Sequence, residues 1–214
     1  METQNGLDTA VDEEYLSLFP VLVQISVLEL NIDSLIEFCY EMKRKDEKGV
    51  ELTNLGGWQS DNIFNETHTE FVKLKNKIEE AANVYHHKIQ LKKTLHQELD
   101  NIWVNINQKG CSNEYHNHPG AILSGAFYLT KAESSIVFYH PYREISTYFW
   151  NDSIIEKYNP ANSGQWKLEP EPNILLVFPS WAMHRVSVNK EDVDRITFSF
   201  NTLIPNWDVM RRWK

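Results

Sequence analysis

The spacing of apolar residues changes from a helical period to a period of two near residue 99, and this change constrains the fold more than any other feature. Before it, two segments repeat apolar side chains at helical spacing. The first spans about 32–45, with Leu35, Ile36 and Cys39 recurring after Asp33 and Ser34, which suit an N-terminal cap. The second spans about 67–97, with Phe71, Leu74, Ile78, Ala82 and Tyr85 on one stripe. Between them, the Gly pair and polar residues of NLGGWQSDNIF, 54–64, mark a loop. The earlier run LFPVLVQISVLEL, 18–30, is interrupted by Pro20 and Gln24 and reads as a strand rather than a membrane span.

After the change, IWVNINQ, LSGAFYLT, SSIVFYH, STYFW, NILLVFPS, AMHRVSV and RITFSFNTLI are short strand-like runs separated by turn residues. Such a series implies a β-sandwich or barrel, with the N-terminal helices packed on one face. Alternation assigns the faces. Ile102, Val104 and Ile106 share one side of their strand, and Trp103, Asn105 and Asn107 the other. In the last strand Ile196, Phe198 and Phe200 oppose Arg195, Thr197, Ser199 and Asn201. The polar faces also carry Trp103 and Tyr128, which are costly to leave in water. A barrel with helices over its apolar outer face and a polar ligand inside accounts for both.

At 214 residues, with no internal repeat, one domain over 1–214 is the simplest account. Its N-terminal part, about 1–98, is helical and its β core covers about 99–205. The N-terminus METQNGLDTAVDEEY is acidic and polar, without the basic and apolar regions of a signal peptide, which suits a soluble cytoplasmic protein. Cys39 and Cys111 form neither a disulfide framework nor a zinc pattern. A net charge of −9 argues against a nucleic-acid-binding face, and the basic clusters KLKNK, 73–77, and RRWK, 211–214, are short solvated patches.

Of the eight histidines, His68, His86, His87, His96 and His140 have structural explanations in or beside helical segments or at a strand end. His116 and His118 are different. Two residues apart on an extended segment, their imidazoles project to the same side, as two ligands of one metal require. His184, in FPSWAMHRVSV, is the candidate third ligand from a separate strand. Imidazole suits Fe, Zn, Cu or Ni. Arg195 follows His184 by 195 − 184 = 11 residues across the turn-like NKEDVD, so the two strands are expected to form a hairpin that brings Arg195 near the same cavity. Its planar guanidinium, with the Thr197 hydroxyl on the same strand face, suits a carboxylate. The plainer alternative pairs Arg195 with Asp192 or Asp194.

Taken in order, W-Q-S, W-x-N-I, H-x-H-P with L-S-G-x-x-Y-L, F-P-S-W-x-x-H and R-x-T-F-S-F-N resemble a family of 2-oxoglutarate/Fe(II) oxygenases of marine bacteria and their phages. The resemblance extends from about Leu18 to Ile204. It implies a mainly β fold with α, a double-stranded β-helix (jelly-roll) core with the helices on one face. It implies Fe(II) on His116, His118 and His184, and 2-oxoglutarate held by Arg195 and Thr197, with Asn105 and Tyr128 as further contacts. Trp58, Gln59 and Ser60 are candidates for the substrate mouth, or an aromatic loop packed on the core. No further catalytic side chain stands out. His118 occupies a position usually held by a carboxylate, so Glu114, which shares the face of His116 on a regular strand, is an alternative ligand.

The implied activity is a dioxygenase that hydroxylates a small molecule or a protein side chain, consuming molecular oxygen and releasing succinate and CO2. Two alternatives stand beside it. One is a three-His zinc or iron cupin-like enzyme that does not use 2-oxoglutarate. The other is a non-catalytic jelly-roll binding or virion module. The substrate, the oligomeric state and the role of the C-terminal NWDVMRRWK are not legible in the sequence.

Overall fold

The computed structural model describes residues 15–131 and 133–207. The N-terminal acidic stretch up to residue 14 and the RRWK cluster therefore lie outside the described residues, as does the C-terminal segment beyond Trp207. The chain opens with β1 (Gln24–Val27), α1 (Ile32–Lys45), β2 (Asn54–Leu55), β3 (Trp58–Gln59) and α2 (Thr69–Lys88). It continues with β4 (Glu98–Asn107), β5 (Ser112–His116), β6 (Leu123–Tyr128), β7 (Ile136–Tyr139) and α3 (Arg143–Phe149). β8 (Gln165–Leu168), β9 (Ile174–Pro179), β10 (His184–Val186) and β11 (Arg195–Leu203) complete it.

α1 occupies the span its periodicity predicts, but its cap lies earlier than expected. Asn31 accepts the Ser34 amide at 3.1 Å, leaving Asp33 in the first turn, where its charge opposes the helix dipole. α2 buries Phe71, Leu74, Ile78, Ala82 and Tyr85 as the stripe requires, yet stops at Lys88 rather than near 97. Gln90 takes φ +56, and the amides of Gln90 and Leu91 bond back to the carbonyls of His87 and His86. That pair of bonds is the Schellman arrangement, which ends a helix whatever the polarity pattern beyond it.

Two antiparallel sheets face each other. One has six strands in the order β1-β9-β6-β11-β4-β3, the other five in the order β2-β5-β10-β7-β8. On the outer face of the six-stranded sheet, Ile102, Val104, Ile106, Ile196, Phe198 and Phe200 are wholly buried against Phe38, Phe71, Leu74 and Ile78 of the helices. Each such side chain contributes about 1.5–3 kcal/mol of transfer free energy. The opposite face of the same strands, lined by polar residues and Trp103, looks into the space between the sheets. The faces fall as alternation predicts, and the jelly-roll expectation holds. Strands also enter from before residue 98: β1 and β3 edge the larger sheet and β2 the smaller.

Two local expectations are corrected. STYFW, 146–150, is not a strand, because its residues fall on α3 and its C-cap. That segment bonds its own backbone, Ser146 to Tyr142 and Trp150 to Ser146, and α3 buries no side chain. Alternation in STYFW therefore had no sheet face to serve. The expected hairpin between the strands of His184 and Arg195 does not form either. β10 pairs with β5 and β7, whereas β11 pairs with β4 and β6 in the other sheet. Residues 187–194 cross between the sheets, tied by buried Asn189, whose amide donates to Asn107 and Val193 carbonyls at 3.0 and 2.8 Å. His184 and Arg195 thus face a common cavity from opposite walls rather than from neighbouring strands.

Candidate metal centre

β5 and β10 set His116 directly opposite His184 as cross-strand partners, with ring centroids 4.3 Å apart. The register then slips, so that Val186 faces Asn113. This irregularity turns both Asn113 and His116 toward the cavity and leaves Glu114 exposed. The face shared by Glu114 and His116 on a regular strand is thereby lost. His118 lies just beyond β5, its amide bonded to the Ser180 carbonyl at 3.0 Å, and its ring is 5.0 and 5.2 Å from those of His116 and His184. Ligand nitrogens of the three rings all lie within 4.8 Å of one another, and among the described residues this cluster contains no carboxylate.

Tautomers follow from the partners. Nδ1 of His116 lies 2.6 Å from the Glu114 carbonyl, and Nδ1 of His184 lies 2.9 Å from the Ala182 carbonyl. A carbonyl only accepts, so both Nδ1 atoms carry the proton and both Nε2 lone pairs are free for a ligand bond. Burial pushes the imidazolium forms down, His118 to about 4 and His184 to about 3, with further lowering from the neighbouring imidazoles. His116 is lowered by burial as well, partly offset by its bond to Glu114. The rings are therefore neutral near pH 7, as metal binding requires. Three neutral nitrogen donors fit a borderline metal such as Fe(II) and leave its 2+ charge undiminished.

The histidines line a cavity of about 640 Å³ that Arg195, Asn105, Gln59 and Ser60 also reach. Arg195 is 3% exposed, and its Nε has no hydrogen-bond partner. It does not pair with the acidic residues beside it. Asp192 bonds Lys109 at 2.8 Å, and Asp194 accepts the Tyr40 hydroxyl at 2.8 Å. Instead, Arg195 donates to the Tyr128 hydroxyl at 3.4 Å, from a position 5.2 Å over the Tyr128 ring. A buried guanidinium with an orphaned donor is an unmet demand for an anion. Thr197 is buried on the same face and pairs across strands with both Asn105 and Tyr128. Trp58 is elsewhere: it packs in the helix-side core and donates from its indole to the Asp46 carbonyl at 2.8 Å.

Asp61, Asn62, Trp103, Asn101, Asn113, Asn117, Ser199 and Asn201 line the cavity without having been singled out as site residues. Asn101, Trp103, Ser199 and Asn201 were findable, since they share strand faces with Asn105 and Thr197. Asp61, Asn62 and Asn113 carried no signal, because a loop and an irregular register bring them in. The remaining histidines have local partners, such as His86 with the Lys92 carbonyl and Gln97.

Residues 101–201 match the family described as "Putative 2OG-Fe(II) oxygenase". Over this segment the chain resembles the 2OG-Fe(II) oxygenases. No curated protein matches the sequence. Among solved structures, a Pseudomonas putida prolyl-4-hydroxylase is 13% identical, with TM-score 0.54, covering 84% of this chain and 91% of that one. The non-heme α-ketoglutarate-dependent carbocyclase SnoK from nogalamycin biosynthesis is 9% identical, with TM-score 0.61 and coverages of 84% and 78%. HygX from Streptomyces hygroscopicus, solved with nickel and 2-oxoglutarate bound, is 9% identical, with TM-score 0.59 and coverages of 88% and 85%. At these identities the likeness establishes the jelly-roll fold.

Proposed function

We propose that the protein is a 2-oxoglutarate-dependent oxygenase in which His116, His118 and His184 hold the Fe(II) ion and Arg195 holds the far carboxylate of 2-oxoglutarate. The observation that carries the assignment is the buried Arg195, unpaired with any carboxylate among the described residues and sharing a cavity with the three imidazoles. When bound, the ion and 2-oxoglutarate together supply oxygen activation for hydroxylation of a substrate, with release of succinate and CO2.

The chain's own share is positioning and exclusion of water. The carbonyls of Glu114 and Ala182 fix two rings with Nε2 forward. Phe138 and Phe178 pack against His184 at centroid distances of 5.9 and 5.0 Å, drying one side of the site. Arg195 on β11 and the His116–His184 pair on β5 and β10 belong to different sheets, so the anion site and the metal ligands face each other across the cavity. Tyr128, with Thr197 beside it, backs the guanidinium and fixes the orientation of its fork. Asn105 donates to the Ser199 hydroxyl at 2.9 Å and ties β4 to β11 on the polar face that carries Arg195.

A three-imidazole set also describes a zinc site that acidifies water, and the absence of a carboxylate in the cluster favours that second reading. It leaves Arg195 unexplained. Two unpaired, buried thiols, Cys39 and Cys111, suit the reducing cytoplasm in which we place the protein. No helix among the described residues is long and apolar enough to cross a membrane.

Anaerobic titration with Fe(II) and 2-oxoglutarate tests the assignment. A visible charge-transfer band, and succinate once oxygen is admitted, are the expected results. R195A should keep its iron and raise the 2-oxoglutarate concentration needed for the band by at least about tenfold. An absent band together with absent succinate would sink the oxygenase reading in favour of the zinc one.

A further inference from the structure

Resting on that assignment, we infer that the substrate presents a positively charged ammonium or guanidinium group, held between the Asp61 carboxylate and the face of Trp103. The chain after β3 brings Asp61 alongside β4, which carries Trp103. β3 pairs Gln59 with Asn105, and the ladder continues as Ser60 donates its amide to the Val104 carbonyl at 3.0 Å. Beyond Ser60 the ladder breaks, but Ile63 donates its amide to the Ile102 carbonyl at 2.9 Å, so the exposed Asp61 lies in the stretch that runs beside Trp103. Both line the cavity, and Trp103 lies 5.8 Å from the His118 ring, which puts the pair beside the proposed metal.

The charges facing the cavity then decide the sign. Apart from the three histidines, its charged lining residues among the described ones are Arg195 and Asp61. With Arg195 engaged by 2-oxoglutarate, Asp61 is the remaining charge at the substrate end. Everything else there is neutral: Asn62, Asn101, Asn117, Ser199 and Asn201 offer hydrogen bonds without charge. An anionic substrate would meet a carboxylate and no free cationic side chain. A cationic one gains a charge-assisted hydrogen bond, an aromatic face and attraction from a chain of net charge −9.

Asp61 is also built to point. Its Oδ1 accepts the Asn62 amide at 2.7 Å, and its backbone carbonyl accepts the Ser60 hydroxyl at 2.7 Å. Asn62 Oδ1 in turn takes the Ile102 amide at 3.2 Å, tying this loop to β4. The second carboxylate oxygen has no hydrogen-bond or ion-pair partner among the described residues.

Calorimetry on the anaerobic protein loaded with Fe(II) and 2-oxoglutarate tests this with matched probes: n-hexylammonium, hexanol, hexanoate and a capped Gly-Lys-Gly peptide. The expected result is that an ammonium probe binds at least about tenfold more tightly than hexanol, with hexanoate weakest. Preference between hexylammonium and the peptide tells a free amine from a protein side chain. D61N should remove most of the advantage of the ammonium over hexanol, and W103L should weaken the ammonium probes. Equal binding of hexanol or hexanoate, no binding of either ammonium probe, or an unchanged preference in D61N overturns the inference. Succinate formation by the wild-type protein is measured in parallel. If it is absent, the underlying oxygenase assignment has failed; if present, a negative calorimetric result counts against the cationic substrate alone.

Discussion

The imidazoles of the proposed metal site carry a consequence that can be measured without any metal. His184 and His118 are pushed down to about 3 and about 4 from an ordinary 6.5 because burial penalises their charged forms. Folded values below unfolded ones mean that the unfolded chain binds more protons in the intervening range. The stability contributed by neutral rings is complete above about pH 6.5 and is lost as the pH falls toward 3. Each ring steepens the slope by at most about 1.4 kcal/mol per pH unit. Metal-free wild-type protein should therefore lose melting temperature between pH 6.5 and 4 more steeply than the H118Q/H184Q variant. Parallel melting curves over that range would contradict the assignment of this pH dependence to these rings. The same rings illustrate what was legible at this scale. The clustering of the H-x-H pair with the distal histidine was readable from spacing and strand context, whereas the turning of Glu114 away from the cluster depended on a register slip that spacing does not encode.

Elements were legible where burial on one face imposed a period, and illegible where it did not. β4 and β11 declared both faces, because one contacts helices and the other a polar cavity. α1 declared itself for the same reason. α3 buries nothing, so no apolar period existed to be read and its alternation misled. The crossing between β10 and β11 was misread because turn residues mark a reversal without saying which sheet the chain enters next. Gly125 in β6 shows a requirement no pattern reveals. A Cβ there would stand 2.2 Å from the Phe200 ring and 2.2 Å from the Leu176 carbonyl, the latter fixed in the neighbouring strand. G125A should destabilise the protein by about 1–3 kcal/mol or more, seen as a lower denaturant midpoint. An unchanged midpoint would show that β6 and β9 can part without cost.

For the whole molecule, the decisive arrangement is that one sheet serves two purposes on its two faces. Helix-side residues such as Phe198 are locked among Phe38 and Phe71, with ring centroids 6.4 and 5.5 Å away. Cavity-side residues of the same strand, Arg195 and Ser199, remain available for ligands. Alternation along β11 thus separates stability from chemistry by one residue. Phe71 is wholly buried, and its ring partners Phe38, Phe198 and Lys75 do not line the cavity. F71A should cost about 3–5 kcal/mol, a large share of the total stability of roughly 5–15 kcal/mol usual for a domain. Measured well below its lowered melting temperature, F71A should nonetheless retain the Fe(II) stoichiometry and 2-oxoglutarate band of the wild type. Loss of metal from a still-folded F71A would mean that the two faces are coupled through the strand backbone, and that the helices hold the geometry of the site as well as the core.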